Sequence, residues 1–281
     1  MMQKSFSTSL LVITVLFLCV FHNSGLAQDT IPRNPILTSE LEAGFGIFAP
    51  SQVIRIGAHG STQNDEIDFG KAMDLKSRHY RPSAYIMWRF FKRWNLYADY
   101  FNFYRSAERS PEKQIRWEDY TFDTGVSVKM GLGLDIIRIN VGYTVFDKHN
   151  QNLIVGLGVH TLGITPSLEG EAFINDKTAH YKTKSTYAIA PLPNLIARYT
   201  FAINTQWALS AKLDWLALKV GEYGGGIWDV GPRVTYQPFK HINVSLDYRY
   251  FKFYGDVDKK NWDGSFYIQF SGPTLSLNAN F

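Results

Sequence analysis

The sequence predicts an all-β protein whose fold is an antiparallel transmembrane β-barrel of about ten strands, with eight as the rival count. Along most of the chain after residue 38, apolar and polar residues alternate with the period of a β-strand. In each such segment the charged residues keep to one of the two alternating sets. No segment after residue 27 has 18 consecutive apolar residues, so helical spans are excluded and a closed barrel remains as the way to cross a bilayer.

The first residues have the pattern of a secretory signal peptide. A basic start precedes a twelve-residue apolar core from Leu10 to Phe21, and the small residue Ala27 follows. The core is too short for a membrane-spanning helix, which needs about 20 residues. The expected organisation is a cleaved signal peptide at 1–27, a short periplasmic N-terminal extension at 28–37, and the barrel at 38–281.

Composition narrows the range of functions. The only cysteine, Cys19, lies in the signal segment, so the remaining chain has no thiol for a disulfide, a metal site or a nucleophile. The formal net charge of +4 is modest and the basic residues are scattered, which argues against a nucleic acid partner. Aromatic residues make up 15% of the chain, and membrane interfaces favour rings that are half apolar and half wet.

Ten segments carry the alternating pattern. In "INVSLDYRY", for example, Ile242, Val244 and Leu246 share one face, while Asn243 and Asp247 share the other. A basic residue on the lipid side at mid-bilayer costs about 2–4 kcal/mol, so the charged face must line the lumen. The predicted strands are 38–49, 82–91, 94–106, 126–146, 151–170, 186–202, 206–223, 226–239, 242–257 and 264–281.

The connections between these strands alternate in length. Short turns are predicted near Lys92, His149, Asn204 and Lys240, and longer stretches join most strands at the other end. Outer-membrane barrels have short periplasmic turns and longer outer loops, and an even strand number would leave both termini periplasmic. Aromatic residues gather near the short turns, as in a girdle at one membrane interface. The turn-end set is Phe90, Phe91, Trp94, Tyr143, Phe146, Phe201, Trp207, Tyr236, Phe239 and Phe281, and a second set is Tyr100, Trp215, Trp228 and Tyr250.

Two places break the alternation. In "VSVKMGLGLDIIRIN" the apolar parity switches at Ile136 and Ile137, which predicts a β-bulge there. In "APLPNL", Pro191 and Pro193 remove two ladder donors, so we expect them at the outer rim.

The last strand carries the resemblance to a known family. "PTLSLNANF" resembles the C-terminal signal that Gram-negative bacteria use to direct barrels to their assembly machinery, with Leu275, Leu277, Ala279 and Phe281 as its apolar positions. With "IDFGKAMDL", "PLPN" and "TYQPFKHINVSLDYRYF", the chain is similar to small single-chain outer-membrane β-barrel proteins of an uncharacterised family. The resemblance implies the cell outer membrane as location, and outer-membrane lipids and the barrel-assembly machinery as partners. It implies no activity.

The lumen is the one concentrated polar constellation in the predicted fold. Paired charges there avoid lone buried ions, and a barrel of this size is filled by its own side chains. A structural plug and a narrow path for small solutes both remain open, and the balance of signs predicts low conductance. The predicted lumen residues are Glu42, Arg89, Asp99, Asp135, Arg138, His160, Arg198, Lys212, Asp214, Asp229, Arg233, Asp247 and Arg249.

No motif indicates catalysis or a bound ion. His160 lies on an inward position without a positioned nucleophile, which favours a hydrogen-bonded member of the lumen network. The remaining histidines lack metal-ligand spacing, so neither a metal nor a cofactor is expected. We expect a structural or surface-interaction protein that is not an enzyme and whose external ligand is unknown. The alternatives are a narrow channel for small solutes and a lipid-modifying outer-membrane enzyme that uses His160 or loop residues.

Overall fold

The computed structural model describes residues 32–59, 67–68, 80–110, 115–117, 120–122, 127–174, 177–182, 188–259 and 262–281. Residues Arg33–Phe281 form one compact unit. The predicted signal peptide lies outside the described residues, as does most of "IDFGKAMDL". In the described part of the chain, no helix is long and apolar enough to cross a membrane.

Ten long antiparallel strands close into a barrel, because the last strand pairs back to the first. The prediction of ten strands is therefore confirmed over the rival count of eight. The barrel strands, in their order around the wall, are β1 (Leu41–Phe48), β4 (Arg81–Phe90), β5 (Trp94–Arg109), β8 (Val128–Lys148), β9 (Gln151–Ile174), β11 (Ala188–Ala202), β12 (Trp207–Val220), β13 (Tyr223–Phe239), β14 (Ile242–Lys259) and β15 (Trp262–Asn280).

Their boundaries lie close to the predicted ones, with one clear difference at the start. The first strand begins at Leu41 rather than 38, because Pro35–Thr38 forms a single helical turn, α1. The Asn34 side chain caps α1 by accepting a hydrogen bond from the Ile36 amide at 3.0 Å, and Pro35 suits the first helical position.

Five shorter strands extend the sheet at the end of the barrel opposite the short turns. We call this end the loop end and the other the turn end. The connection between β1 and β4 was expected to be a long loop. Within it, β2 (Ser51–His59) continues the line of β1 along the loop-end half of β15. The five strands are β2 (Ser51–His59), β3 (Ile67–Asp68), β6 (Ile115–Trp117), β7 (Tyr120–Phe122) and β10 (Lys177–Lys182).

The turn-end half of the barrel is apolar outside and polar inside. On β14, the exposed residues Ile242, Val244 and Leu246 alternate with the buried Asn243 and Ser245. The same alternation on β15 exposes Leu275 and Leu277 and buries Asn278. This inverted arrangement is that of a transmembrane barrel, and it confirms the predicted assignment of faces.

The loop-end half has the opposite polarity. Its interior is an apolar cluster, and its outward positions on β14 and β15 carry polar residues such as Lys252 and Gln269. The buried members of this cluster, which we call the apolar layer, are Phe48, Phe101, Phe103, Val128, Leu132, Leu134, Ile136, Leu162, Ile227, Phe251, Ile268 and Phe270.

This change of polarity explains the parity switch in β8, where the predicted bulge is wrong. Ile136 pairs with Leu162 and Ile137 pairs with Thr161 in unbroken register, and the irregularity in this hairpin lies between Thr144 and Phe146. Ile136 and Arg138 both face inward. The strand keeps its orientation, and the interior itself changes from polar to apolar.

The two prolines of β11 lie in its loop-end part, on exposed positions. The pairing of β11 with β12 ends toward the loop end at Leu195 and Trp215, and Leu195 follows Pro193 by two residues in the chain. Proline has no amide hydrogen for the ladder, so both prolines occupy a stretch where only the β9 side of the strand is paired.

Aromatic side chains ring the turn end as predicted. Trp94 contacts Tyr143 with ring centroids 5.2 Å apart, and Trp207 contacts Tyr236 at 4.6 Å. Phe281 stacks on His241 at 5.3 Å. At the far edge of the outward apolar band, Trp215 contacts Trp228 at 6.2 Å.

Candidate functional site in the barrel lumen

The turn-end mouth of the lumen is occupied by the segment that precedes β1. Leu37 of α1 is fully buried, and its carbonyl accepts a hydrogen bond from Arg89 Nη1 at 2.8 Å. The Asn34 side-chain amide donates to the Asn204 carbonyl at 2.8 Å, and Arg33 forms an ion pair with Asp147 at 2.5 Å. These contacts hold the segment across the mouth.

Above α1 the barrel wall is lined by amides and hydroxyls that bond to one another. Asn278 donates to Asn243 at 2.6 Å and to Ser245 at 2.9 Å. Gln237 and Ser39 both contact the Asn280 side chain, at 2.9 and 3.0 Å. These neutral residues are not among the predicted lumen residues, although their alternation with leucines in the last strand is the signal that could have identified them.

Asp229 is the centre of the charged layer. Its carboxylate is fully buried and forms ion pairs with Arg138, with Lys212 at 3.1 Å and with Arg249 at 3.3 Å. Arg138, which is also fully buried, forms a second ion pair with Asp99. One ionic network thus joins five strands: β5, β8, β12, β13 and β14. Each of these buried ions has a partner of opposite charge.

His160 and Asp214 lie beside this network. His160 Nδ1 is 3.0 Å from the Asn194 side-chain oxygen, and Nε2 is 3.8 Å from Asp214. Arg198 Nη2 lies 3.4 Å from the other Asp214 oxygen. His160 is buried below the apolar layer, where its ring stacks on Phe251. Its predicted place in the lumen network agrees with these contacts.

The geometry of His160, Asp214 and Asp229 would allow a metal ion, but the surrounding charges oppose one. One potential ligand atom from each residue lies within 4.8 Å of the others. Asp229 already meets three cations, and Arg198 approaches Asp214. A divalent cation would have to displace or tolerate these positive groups at close range.

A second ionic group lies nearer the turn end. Arg233 Nε donates to Asp247 at 2.6 Å, and Arg233 Nη1 donates to the Tyr85 hydroxyl at 3.1 Å. That hydroxyl donates in turn to Glu42. Arg89 completes the group of cations here, with hydrogen bonds to the Leu37 carbonyl and, at 3.3 Å, to the Asn95 side chain.

A cavity of about 180 Å³ lies between α1 and the charged layer. Ile36 of α1 lines it, as do the cations Arg89, Arg198, Lys212, Arg233 and Arg249 and the carboxylates Glu42, Asp99 and Asp247. Toward the loop end, the apolar layer closes the lumen, with ring contacts such as Phe101 to Phe270 at 6.1 Å.

Of the predicted lumen residues, Asp135 does not belong to the network. It lies on the same outward face of β8 as the exposed Ile137 and Ile139, and it accepts a hydrogen bond from the outward-facing Tyr100 at 3.0 Å. The prediction was wrong because the interior becomes apolar at this height, so a polar residue of β8 belongs outside. The others lie at inward positions: Glu42, Arg89, Asp99, Arg138, His160, Arg198, Lys212, Asp214, Asp229, Arg233, Asp247 and Arg249.

The four positions of the predicted assembly signal lie on β15 and at its end. Leu275, Leu277 and Phe281 are exposed, and Ala279 follows the same outward alternation. The Phe281 carbonyl accepts hydrogen bonds from the Glu40 and Leu41 amides, which joins the last strand to the first. Their role in assembly stays a prediction.

Comparison with known proteins identifies the fold alone. No protein-family model matches the sequence, and no curated protein matches it either. The structure is similar to the outer membrane protease OmpT from Escherichia coli, with a TM-score of 0.58 and 10% identity over 91% of this chain and 100% of that chain.

Two further solved structures match with lower scores. The Pseudomonas putida toluene transporter TodX has a TM-score of 0.33 and 10% identity over 89% of this chain and 93% of that chain. Ail of Yersinia pestis has a TM-score of 0.28 and 8% identity over 84% and 99%. The similarity to OmpT agrees with the closed antiparallel barrel described above, and it concerns the fold alone.

Proposed function

We propose that this protein is an integral outer-membrane barrel with a filled, salt-bridged lumen, and that its role is structural or one of surface interaction. The observation that carries the proposal is the succession of three closing layers along the axis. These are α1 at the turn end, the ion pairs around Asp229, and the apolar layer.

Each layer opposes the passage of solutes for a different physical reason. The Leu37 side chain is fully buried at the mouth, so α1 occupies that space rather than lying beside it. Ion pairs such as Arg138 with Asp99 tie one side of the wall together, and breaking a buried pair is costly. The apolar layer would strip water from any ion that entered it.

Conductance in planar lipid bilayers tests this proposal. We expect the purified protein to give no large stepwise currents, because the lumen has no continuous aqueous path. A water-filled porin, reconstituted in the same bilayers, serves as the positive control for sensitivity. Large open-channel steps from the unsubstituted protein would contradict a filled lumen.

A narrow channel for small solutes is the second candidate, and the cavity above α1 favours it. Movement of α1 would join this cavity to the turn-end mouth, leaving the apolar layer as the remaining barrier. Swelling of protein-containing liposomes in isotonic small solutes separates the candidates. Swelling that requires the protein and increases when residues 33–38 are deleted would support the channel.

The exposed surfaces support the remaining partner assignments. The outward apolar band, with residues such as Leu246 and Leu277, suits outer-membrane lipids. The polar outer face of the loop-end half is the surface available to an external ligand. His160 lies below the apolar layer and away from both surfaces, so we do not propose a lipid-modifying activity for it. An altered lipid profile on deletion of the protein would reopen that alternative.

A further inference from the structure

The charges that line the turn-end half of the lumen do not balance. Among the described residues, six inward cations face five inward carboxylates. The cations are Arg89, Arg138, Arg198, Lys212, Arg233 and Arg249, and the carboxylates are Glu42, Asp99, Asp214, Asp229 and Asp247. One positive charge is therefore in excess within a space surrounded by the barrel wall and lipid. A surplus charge in such an environment favours a bound counter-ion.

Arg89 is the cation without a carboxylate. Within the described part of the chain, its hydrogen bonds run to the Leu37 carbonyl and the Asn95 side chain, and it has no ion pair. Both partners are neutral. They fix the guanidinium at the floor of the cavity without neutralising it.

Two further guanidinium groups line the same cavity and are held by aromatic rings. Arg198 lies 4.5 Å from the ring centroid of Tyr97, and Arg233 lies 4.9 Å from that of Tyr85. Arg198 Nε is buried and has no hydrogen-bond partner within the part of the chain that the structure describes. Arg233 uses Nε and Nη1 for its contacts with Asp247 and Tyr85, which leaves Nη2 available.

We propose that the cavity binds one small oxyanion, of the carboxylate, phosphate or sulfate class, through Arg89, Arg198 and Arg233. The planar fork of a guanidinium matches the oxygen spacing of such groups, and three arginines from β4, β11 and β13 line this one cavity. A volume of about 180 Å³ is large enough to hold a group of this size.

The carboxylates of the cavity wall do not prevent this binding, because each already has a partner. Glu42 accepts a hydrogen bond from Tyr85, Asp247 is paired with Arg233, and Asp99 is paired with Arg138. Ile36 of α1 lines the turn-end side of the cavity, so an anion would enter from that mouth when α1 moves aside. The proposal does not require conduction through the apolar layer.

Titration calorimetry of the folded full-length protein in zwitterionic detergent tests the proposal. Inorganic phosphate, sulfate and acetate are titrated separately at constant ionic strength, with chloride as the balancing anion. We expect saturable binding of one ion per chain for at least one of them. Arg89→Gln should weaken it about tenfold or more, since a charge-assisted contact is lost.

Arg93→Gln is the matched control, because Arg93 is an exposed basic residue in the turn between β4 and β5. It should leave the binding unchanged. Equal weakening by both variants would indicate general charge screening and overturn the proposal. So would the absence of saturable binding for all three anions.

A second variant tests the site without changing its charge. Ser210 lines the cavity, and among the described residues its side chain bonds to Thr200 alone, at 3.2 Å. Ser210→Leu should fill the space and abolish binding while the barrel still shows its folded mobility in unheated gels. This variant decides the question if Arg89→Gln does not fold, and retained binding in it would place the anion elsewhere and refute the site. Because calorimetry measures binding and not current, its outcome is independent of the conductance test.

Discussion

At the scale of single residues, Asp229 shows how the lumen tolerates buried charge. It is fully buried on β13 and holds three cations from three other strands, Arg138, Lys212 and Arg249. A lone carboxylate there would be prohibitively costly, as would three cations without it. The sequence identified these residues as inward-facing but could not pair them, since their partners come from distant parts of the chain.

Asp229→Asn should therefore destabilise the barrel by about 3–5 kcal/mol, because it leaves buried cations with too few counter-charges. The measurement is urea unfolding of the protein in lipid vesicles, followed by tryptophan fluorescence. Asp256→Asn, at an exposed position on β14, is the control and should stay within about 0.5 kcal/mol of the unsubstituted protein. Equal unfolding midpoints for the two variants would mean that the network contributes nothing to stability.

At the scale of the element, β14 contains the whole pattern in one strand. From Ile242 to Tyr250 its outward residues are apolar, and the first outward residue beyond them is Lys252. Its inward residues change in the opposite sense, from Asn243 and Asp247 to the buried Phe251. One strand can therefore have a lipid-facing segment followed by a water-facing segment, because successive side chains point to opposite faces throughout its length.

Because the outward face of β14 is apolar in one half and polar in the other, the loss of folding free energy caused by an outward arginine should depend on its position along the strand. Leu246→Arg lies at the middle of the apolar band, where Leu246 is 55% exposed, and should cost about 2–4 kcal/mol. Asp256→Arg lies on the same strand beyond the band and should cost about 0–1 kcal/mol. Both are measured as unfolding free energies in lipid vesicles. A similar cost at the two positions would argue against the proposed membrane boundary.

At the scale of the whole molecule, the barrel has two halves of opposite polarity. The turn-end half is apolar outside and hydrogen-bonded inside, with contacts such as Asn278 to Asn243. The loop-end half keeps an apolar interior around Phe101 and Phe270 and carries polar residues outside. The loop-end half thus follows the rule of a water-soluble domain, which suits strands that project beyond the bilayer.

The height of the outward apolar band predicts a preferred bilayer. The band covers 242–250 on β14 and 273–281 on β15, which for tilted strands corresponds to about 20 Å. We expect refolding to be most efficient in vesicles of short-chain phosphatidylcholines and to decline as the hydrocarbon thickness approaches about 30 Å. Folded and unfolded fractions are separated by gel mobility. Refolding yields that do not depend on chain length would contradict this boundary.

The sequence by itself determined the approximate strand boundaries and the face that meets lipid, and it favoured ten strands over eight. These properties are local, because the period of two, the turn residues and the sign of each alternating position are all read within one hairpin. It also placed His160, Arg233 and ten further inward-facing residues in the lumen without a structure.

Only the tertiary structure decided which charges pair, where the interior becomes apolar and how α1 closes the mouth. Arg138 meets Asp229 across the barrel, 91 positions apart in the chain, and Asp135 turns outward although it is charged. These outcomes depend on barrel closure and strand stagger, which set the height of each side chain relative to its neighbours. The sequence pattern of a single strand does not specify the height of its side chains relative to those of the other strands.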